Sequence, residues 1–216
     1  MSTPRDRMFE LERLEGRTVA LERITADNAA RFAAGLAPKI TPELFALMAA
    51  APETFDAEGM AAYLLGSVER AISVPFCVVE KATGEPVGVT HLFKDDRADT
   101  TCEIGGTWYV EPAQGTAVNP DCKLTLLACA FDELGMERVM FMADATNARS
   151  RRGIEKLGAR FEGTLHRHVP FRDERKEICR LRDSVVYAIT RPDWPECRAK
   201  IEAALASRIT PASSPG

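Results

Sequence analysis

No stretch constrains the chain more than residues 108–127, WYVEPAQGTAVNPDCKLTLL. It reads as the end of a strand, a tight turn over 114–119 and the start of a helix. Pro112 offers no N–H to a next rung, so the strand stops there. Pro120 suits a first helical position, and Asn119 before it is a good N-cap. Small residues at 113, 115, 116 and 117 let the backbone approach a ligand. The N–H groups of the turn and first helical turn would then point outward together, backed by the positive end of the helix dipole. Such a site binds a phosphate or pyrophosphate without a charged side chain. An ordinary strand–turn–helix with small residues in the turn is the plainer reading. GxxxxGK[ST] and GxGxxG are both absent, which excludes a P-loop and a dinucleotide fingerprint.

A chain of 216 residues is expected to form one domain. Residues 1–15 read as a polar lead-in, 16–206 as the folded unit and the Ser/Pro-rich 207–216 as a disordered tail. No apolar run approaches the ~18 residues that span a bilayer, and the first residues lack the apolar centre of a signal peptide. Six scattered cysteines without a CxxC pair read as reduced thiols, and the cytoplasm as the expected compartment.

Net charge is only −4, but residues 147–182 hold eleven Lys/Arg against five Asp/Glu, a local balance of +6 that leaves −10 for the rest. A basic block in an acidic protein points to a small polyanion held on one face. Nucleic acid is the less favoured partner, because Phe161 and Phe171 are the block's sole aromatics for stacking. A solvated basic helix face is the plain alternative.

The flanking pattern supplies a frame. Residues 17–24 alternate as a strand. Helices are expected from the caps Thr25 and Asp27 to about 36, over 44–51, and over 57–72 behind Asp56. Strands over 75–82 and 87–93 form a hairpin about Thr83-Gly84-Glu85-Pro86, and 100–110 continues the meander. After a helix over 120–134, residues 136–144 form a buried strand, so 100–110 and 136–144 lie parallel in a βαβ unit. A helix over 147–158, strands over 159–171 and 182–190 joined by a charged loop, and a helix over 195–206 complete an α/β chain.

This order resembles the GNAT superfamily of acyl-CoA-dependent N-acetyltransferases, and within it the Rim-type branch that includes ribosomal-protein N-terminal acetyltransferases. The similarity runs from about residue 16 to 195. Gln114-Gly115-Thr116-Ala117-Val118-Asn119 is similar to the family's pyrophosphate turn, (R/Q)-G-x-G-x-(G/A/N). Asn147-x-x-Ser150-x-x-x-Ile154-Glu155-Lys156-Leu157-Gly158-Ala159 is similar to its second signature, N-x-x-S-x-x-x-x-E-K-L-G-F. Two departures stand out: Ala117 where the turn normally has Gly, and Ile154 where many relatives have a general-acid tyrosine.

The resemblance implies a mixed central sheet of six to seven strands with helices on both faces and a splayed parallel central pair. It further implies an acyltransferase that moves acetyl from acetyl-CoA, as co-substrate, to a primary amine by direct attack. The amine would be a protein N-terminal α-amine or a small molecule. Residues 114–119 would hold the pyrophosphate, Val110 and its neighbours the pantetheine arm, and Asn147 the pantetheine or the helix cap. Ser150 would reach the sulfur as proton donor, and Arg152, with Arg149 or Arg151, would meet the 3′-phosphate. For the general base, Glu103 on the third strand is chosen, with ion pairing to an arginine as its plain alternative; His91 is second. No cysteine is assigned as nucleophile, no metal or membrane is implied, and a homodimer fits the resemblance.

Two other classes compete. A GNAT-fold acyl-CoA sensor without turnover is made conceivable by Ala117 and Ile154. A metal or nucleic-acid module would rest on the basic block and on His166 and His168, expected to share one strand face. Asp183 and Tyr187 resemble the branch's D-(S/T)-V-x-Y pattern and read as packing.

Overall fold

In a computed structural model that describes residues 2–172 and 178–209, the chain forms one mixed sheet of eight strands in the order β1-β2-β3-β4-β5-β6-β8-β7. The strands are β1 (Arg13–Glu15), β2 (Val19–Arg23), β3 (Ser73–Glu80), β4 (Pro86–Lys94), β5 (Thr101–Tyr109), β6 (Arg138–Asp144), β7 (Arg160–Arg172) and β8 (Ile178–Thr190). Neighbours are antiparallel except β5 and β6, which are parallel. Hydrophobic runs explain the centre: β3 is buried along nearly its whole length, and β4 is buried from Val87 to Leu92. A strand covered on both faces needs such continuous apolar character.

The helices are α1 (Pro4–Met8), α2 (Ala29–Leu36), α3 (Ala57–Glu69), α4 (Val118–Ala128), α5 (Ala148–Lys156) and α6 (Trp194–Ile209). α2 buries Ala29, Phe32, Ala33 and Leu36, and α6 buries Trp194, Cys197, Ile201 and Leu205, each a stripe at helical spacing. Consecutive residues of β5 show that the helices cover opposite faces. Trp108 meets the ring of Phe45, in the loop between α2 and α3, at 5.2 Å, whereas Thr107 accepts a hydrogen bond from Lys123 on α4.

The parallel pair is joined over a short distance. Register runs from Thr101↔Arg138 to Glu103↔Met140; beyond that β5 continues to Tyr109 and β6 to Asp144 without pairing each other. The cause is local. β6 stays locked to β8 from Arg138 to Asp144, while β5 bulges against β4 between the pairs Val89↔Trp108 and His91↔Gly105. Gly106 supplies the left-handed φ of +57° that this bulge requires. A bulged strand bends, and β5 bends away from β6.

Several expectations are corrected. The lead-in is structured: Thr3 and Asp6 form a capping box on α1, Arg13–Glu15 is an eighth strand, and Arg7 Nη1 donates to the Glu133 carbonyl at 2.9 Å. The helix placed over 44–51 is a 3-10 turn at Pro42–Phe45. Of the charged loop placed between the last two strands, residues 172 and 178–181 are strand, and 173–177 lie outside the described residues. α6 runs through Ile209, so the expected tail is helical at 207–209, and 210–216 lie outside the described residues. α4 opens at Val118 with Ala117 as cap, so Asn119 and Pro120 lie inside its first turn. Past Cys129 it widens into a π-helical turn ended by Gly135 at φ +79°.

Candidate active site

The bend in β5 opens a cleft of about 880 Å³ lined from both faces of the sheet. That lies toward the upper end of the range usual for ligand clefts. Elements α3, β4, β5, β6, α4, α5, β8 and α6 all contribute to its walls.

At one end lies the turn before α4. Gly115 adopts φ +81°, which turns the chain sharply. Gln114 Nε2 ties the turn to the Tyr109 carbonyl at 2.7 Å, and Thr116 Oγ1 donates to the Ala113 carbonyl at 2.7 Å. Arg208, near the end of α6, reaches the Thr116 carbonyl. The N–H groups of Gly115, Thr116, Ala117 and Asn119 have no hydrogen-bond acceptor among the described residues. Four free amides at the start of an eleven-residue helix form an anion-accepting surface. Two expected backbone contacts are already in use: the Val118 N–H points to Thr116 Oγ1 at 3.2 Å, and the Val110 N–H donates to the Val87 carbonyl at 2.9 Å.

The second motif stands beside it. Asn147 caps α5 by accepting from the Ser150 N–H at 2.9 Å. That leaves the Ser150 hydroxyl, half-buried, without a protein partner among the described residues. Arg149 and Arg152 are exposed on the cleft rim, with no ion pair among the described residues. Arg151 differs: it turns to the Tyr187 hydroxyl and the Ala145 carbonyl and does not line the cleft. Of the residues expected at the site, Glu103, Gln114, Gly115, Thr116, Asn119, Asn147, Ser150 and Arg152 meet on its walls, whereas Val110, Ala117 and Val118 do not.

At the far end, on the face of α3, Glu103 is half-buried with no hydrogen bond or ion pair to its carboxylate among the described residues. The expected alternative, pairing with an arginine, is therefore not seen. Burial pushes its pKa up to about 7, with Arg182 pulling the other way. His91 is buried and stacked on Phe93 at 5.2 Å, and its Nδ1 has no hydrogen-bond partner among the described residues. Burial, helped by the charges of Arg70 and Lys123, pushes His91 down to about 4, so the ring is neutral near pH 7. Tyr63 and Trp108 pack edge-on against Phe45 beside this end, and Phe55 packs tilted against the same ring. Asp144 lines the cleft too. Burial pushes its carboxyl up, but hydrogen bonds from Thr146 and the Arg180 guanidinium outweigh that and hold it below the usual range.

His166 and His168 do not share a face. Arg167 between them takes φ +53° where the β7–β8 register slips, so His166 Nδ1 meets Asp183 at 3.0 Å in solvent while His168 Nδ1 meets Ser184 at 3.1 Å in the cleft. Among the described residues no three His, Cys, Asp or Glu side chains converge as metal ligands. Tyr187 is a buried packing residue, its hydroxyl donating to Glu155 at 2.7 Å.

Sequence reasoning missed Lys123, Thr107, Thr90 and Arg182. Lys123 is buried, its Nζ donating to Thr107 Oγ1 at 2.7 Å, and Thr107 meets Thr90 at 2.7 Å. A signal existed: Lys123 precedes Leu127 and Phe131 by four and eight residues, which puts a charge on the apolar stripe of α4.

A bent β5 parted from a parallel β6, with free amides at the helix that follows, is the frame of an acyltransferase. Residues 19–160 match the family described as acetyltransferase (GNAT) domain. A solved structure of a candidate acetyltransferase from T. thermophilus shares 30% identity at a TM-score of 0.77, over 90% of this chain and 97% of that one. A GCN5-related N-acetyltransferase from Brucella melitensis superposes at 0.79 with 23% identity, over 90% and 85%. A ribosomal-protein-S5-alanine acetyltransferase from Vibrio fischeri superposes at 0.65 with 18% identity, over 84% and 98%. No curated protein matches. The chain belongs to the GNAT acetyltransferase family, whose domains use acetyl-CoA as co-substrate.

Proposed function

We propose that the protein is an N-acetyltransferase of the Rim-type branch, moving the acetyl group of acetyl-CoA to a primary amine, either a protein N-terminus or a small molecule. The observation that carries this reading is the line from the four free amides at 115–119, through the gap between β5 and β6, to the unpaired carboxyl of Glu103. The amides receive the pyrophosphate, and Arg149 and Arg152 at the rim meet the 3′-phosphate. The unpaired edge of β5 beyond Glu103 offers backbone groups to the pantetheine amides and to the thioester carbonyl. Because the Val110 N–H is committed to β4, that work falls to the residues before it.

On the opposite side of the carbonyl, Glu103 takes a proton from the amine. An α-amine with a pKa near 8 needs modest help, and a carboxyl poised near 7 is well matched to give it at neutral pH. Asn147, by capping α5, points the Ser150 hydroxyl at the sulfur. The acidic Asp121 is spent on the fold, and burial raises the Cys102 and Cys129 thiols to about 12, which supports direct attack over an acyl-enzyme.

Release of free CoA thiol from acetyl-CoA, measured against a panel of peptides, amino acids, polyamines and aminoglycosides, tests the reading. Turnover with one acceptor class, reduced at least about tenfold in Ser150→Ala and in Asn147→Ala, is the expected result. Thermal protection by acetyl-CoA with no amine acetylated would instead support an acyl-CoA sensor.

A further inference from the structure

The leaving thiolate must be protonated, and a serine hydroxyl is too weak an acid to be the source: it can orient or relay a proton but not supply one near neutral pH. The tyrosine that relatives use is replaced by the buried Ile154. The sequence pattern passes that role to Ser150, whereas the structure holds a stronger acid. Lys123 lies on α4 just beyond the free amides, only 7% exposed, and opens on the same cleft. An ammonium has three donors; Thr107 Oγ1 takes one, and no carboxylate lies within ion-pair distance among the described residues. Thr107 in turn belongs to the part of β5 from which β6 has withdrawn. A buried, unpaired cation is costly to a fold and is kept where charge appears during function.

Resting on the acetyltransferase reading, we propose that Lys123 is the acid of the reaction, giving its proton to the sulfur as the carbon–sulfur bond breaks. The amine nitrogen bonds to the thioester carbon and loses its extra proton to Glu103. The sulfur departs with the bonding pair and takes a proton from Nζ, leaving a neutral lysine that solvent reprotonates. Base and acid then stand on opposite faces of β5, Glu103 toward α3 and Lys123 toward α4.

The electrostatics agree. Burial pushes Lys123 down to about 8, close to a free thiol near 8.5, so the proton moves between matched groups. The groups around it do not compete for that proton. Cys122 on α4 and Tyr109 on β5 are both raised by burial and stay neutral, and His91 on β4 is neutral as well. Arg70 just past the end of α3, Arg182 on β8, Arg149, Arg152 and Lys156 on α5 and Arg208 on α6 are cations around the same cleft; its acids are Glu103 and the Arg180-bound Asp144.

The test is the pH dependence of kcat at saturating acetyl-CoA and acceptor, for the wild type, Lys123→Met and Lys123→Arg. In the wild type kcat should fall as pH rises through about 8, as the acid form is lost. Lys123→Met should lose at least about tenfold in kcat, with KM for acetyl-CoA changed less than about threefold, and should lack that descending limb. Lys123→Arg keeps the charge but holds its proton too tightly, and should be equally slow. A wild-type kcat that does not decline above pH 8 overturns the assignment without recourse to any variant. So does a loss confined to KM for acetyl-CoA, which would make Lys123 a binding residue, or an arginine variant as active as the wild type. Wild-type turnover with unaffected variants sinks this assignment alone, whereas no turnover with any amine sinks the parent reading with it.

Discussion

Glu103 and Lys123 illustrate how much a residue's chemistry depends on where the chain sets it. Each is an ordinary charged residue in sequence, and each is moved toward neutrality by burial, in opposite directions and on opposite faces of one strand. For Glu103 the consequence extends to stability. Its folded pKa is raised from 4.5 to about 7, so the fold holds a proton that the unfolded chain releases in that interval. The stability linked to this group is complete below the unfolded value and is lost as pH rises through about 7. Glu103→Gln should therefore slow turnover, abolish an ascending limb near pH 7 in kcat/KM, and reduce the drop in Tm between about pH 5 and pH 8. A drop in Tm as large as that of the wild type would show that Glu103 does not titrate in this window. Glu103 was chosen beforehand only by its place on the third strand; that its carboxyl is half-buried and without a partner among the described residues emerges only in the fold. Lys123 was overlooked because a lysine in an amphipathic helix ordinarily faces water.

The proposed anion site lies at the N-terminal end of α4, and Asp121, in the first turn of that helix, holds the helix in place. The Asp121 carboxylate accepts from the N–H groups of Arg17, Thr18 and Val19, at 3.0, 2.5 and 3.0 Å, and from the Thr18 hydroxyl at 2.9 Å. This docks the helix onto the turn between β1 and β2, so the direction of the free amides depends on a residue that never faces ligand. An acidic residue near a helix N-terminus is also favourable to the dipole. Asp121→Ala would strand several buried donors and should cost about 3 kcal/mol or more in chemical denaturation. It should weaken acetyl-CoA binding as well; full stability in the variant would refute this account of the docking. The sequence suggested Asn119 as the cap and Pro120 as the first helical residue. The helix starts earlier because the Thr116 hydroxyl accepts from the Val118 N–H, which makes a side-chain cap at Asn119 unnecessary.

The whole molecule converges on a cleft that no single element defines. β5 supplies the bend, α4 the amides, α5 the capped Ser150, and α6 an arginine on the turn. Ligand binding should therefore stabilise the entire domain. At a concentration of acetyl-CoA near 100 times its Kd, the gain is about 2.7 kcal/mol. For a chain of this size that corresponds to a rise in Tm of roughly 5–10 °C, readable by differential scanning fluorimetry. Desulfo-CoA should protect comparably, since the anion site and gap hold everything but the sulfur, and CoA lacking its pyrophosphate should protect far less. Equal protection by both would contradict the placement of the anion at 115–119.

What the amino-acid order determined by itself were the local elements and their sequence: the hairpin, the βαβ unit, the turn with its small residues, and the Asn147 cap. These depend on neighbours a few residues apart, through alternation, helical spacing and the backbone habits of Gly and Pro. Tertiary structure decided where β5 leaves β6, which amides remain free, that Arg151 turns to Tyr187 rather than the cleft, and that His166 and His168 part company. It also set the acid–base character of Glu103 and Lys123. Each of these depends on groups distant in the chain. Burial, the competition for hydrogen bonds and the strain of a bulge arise only when separated segments pack together.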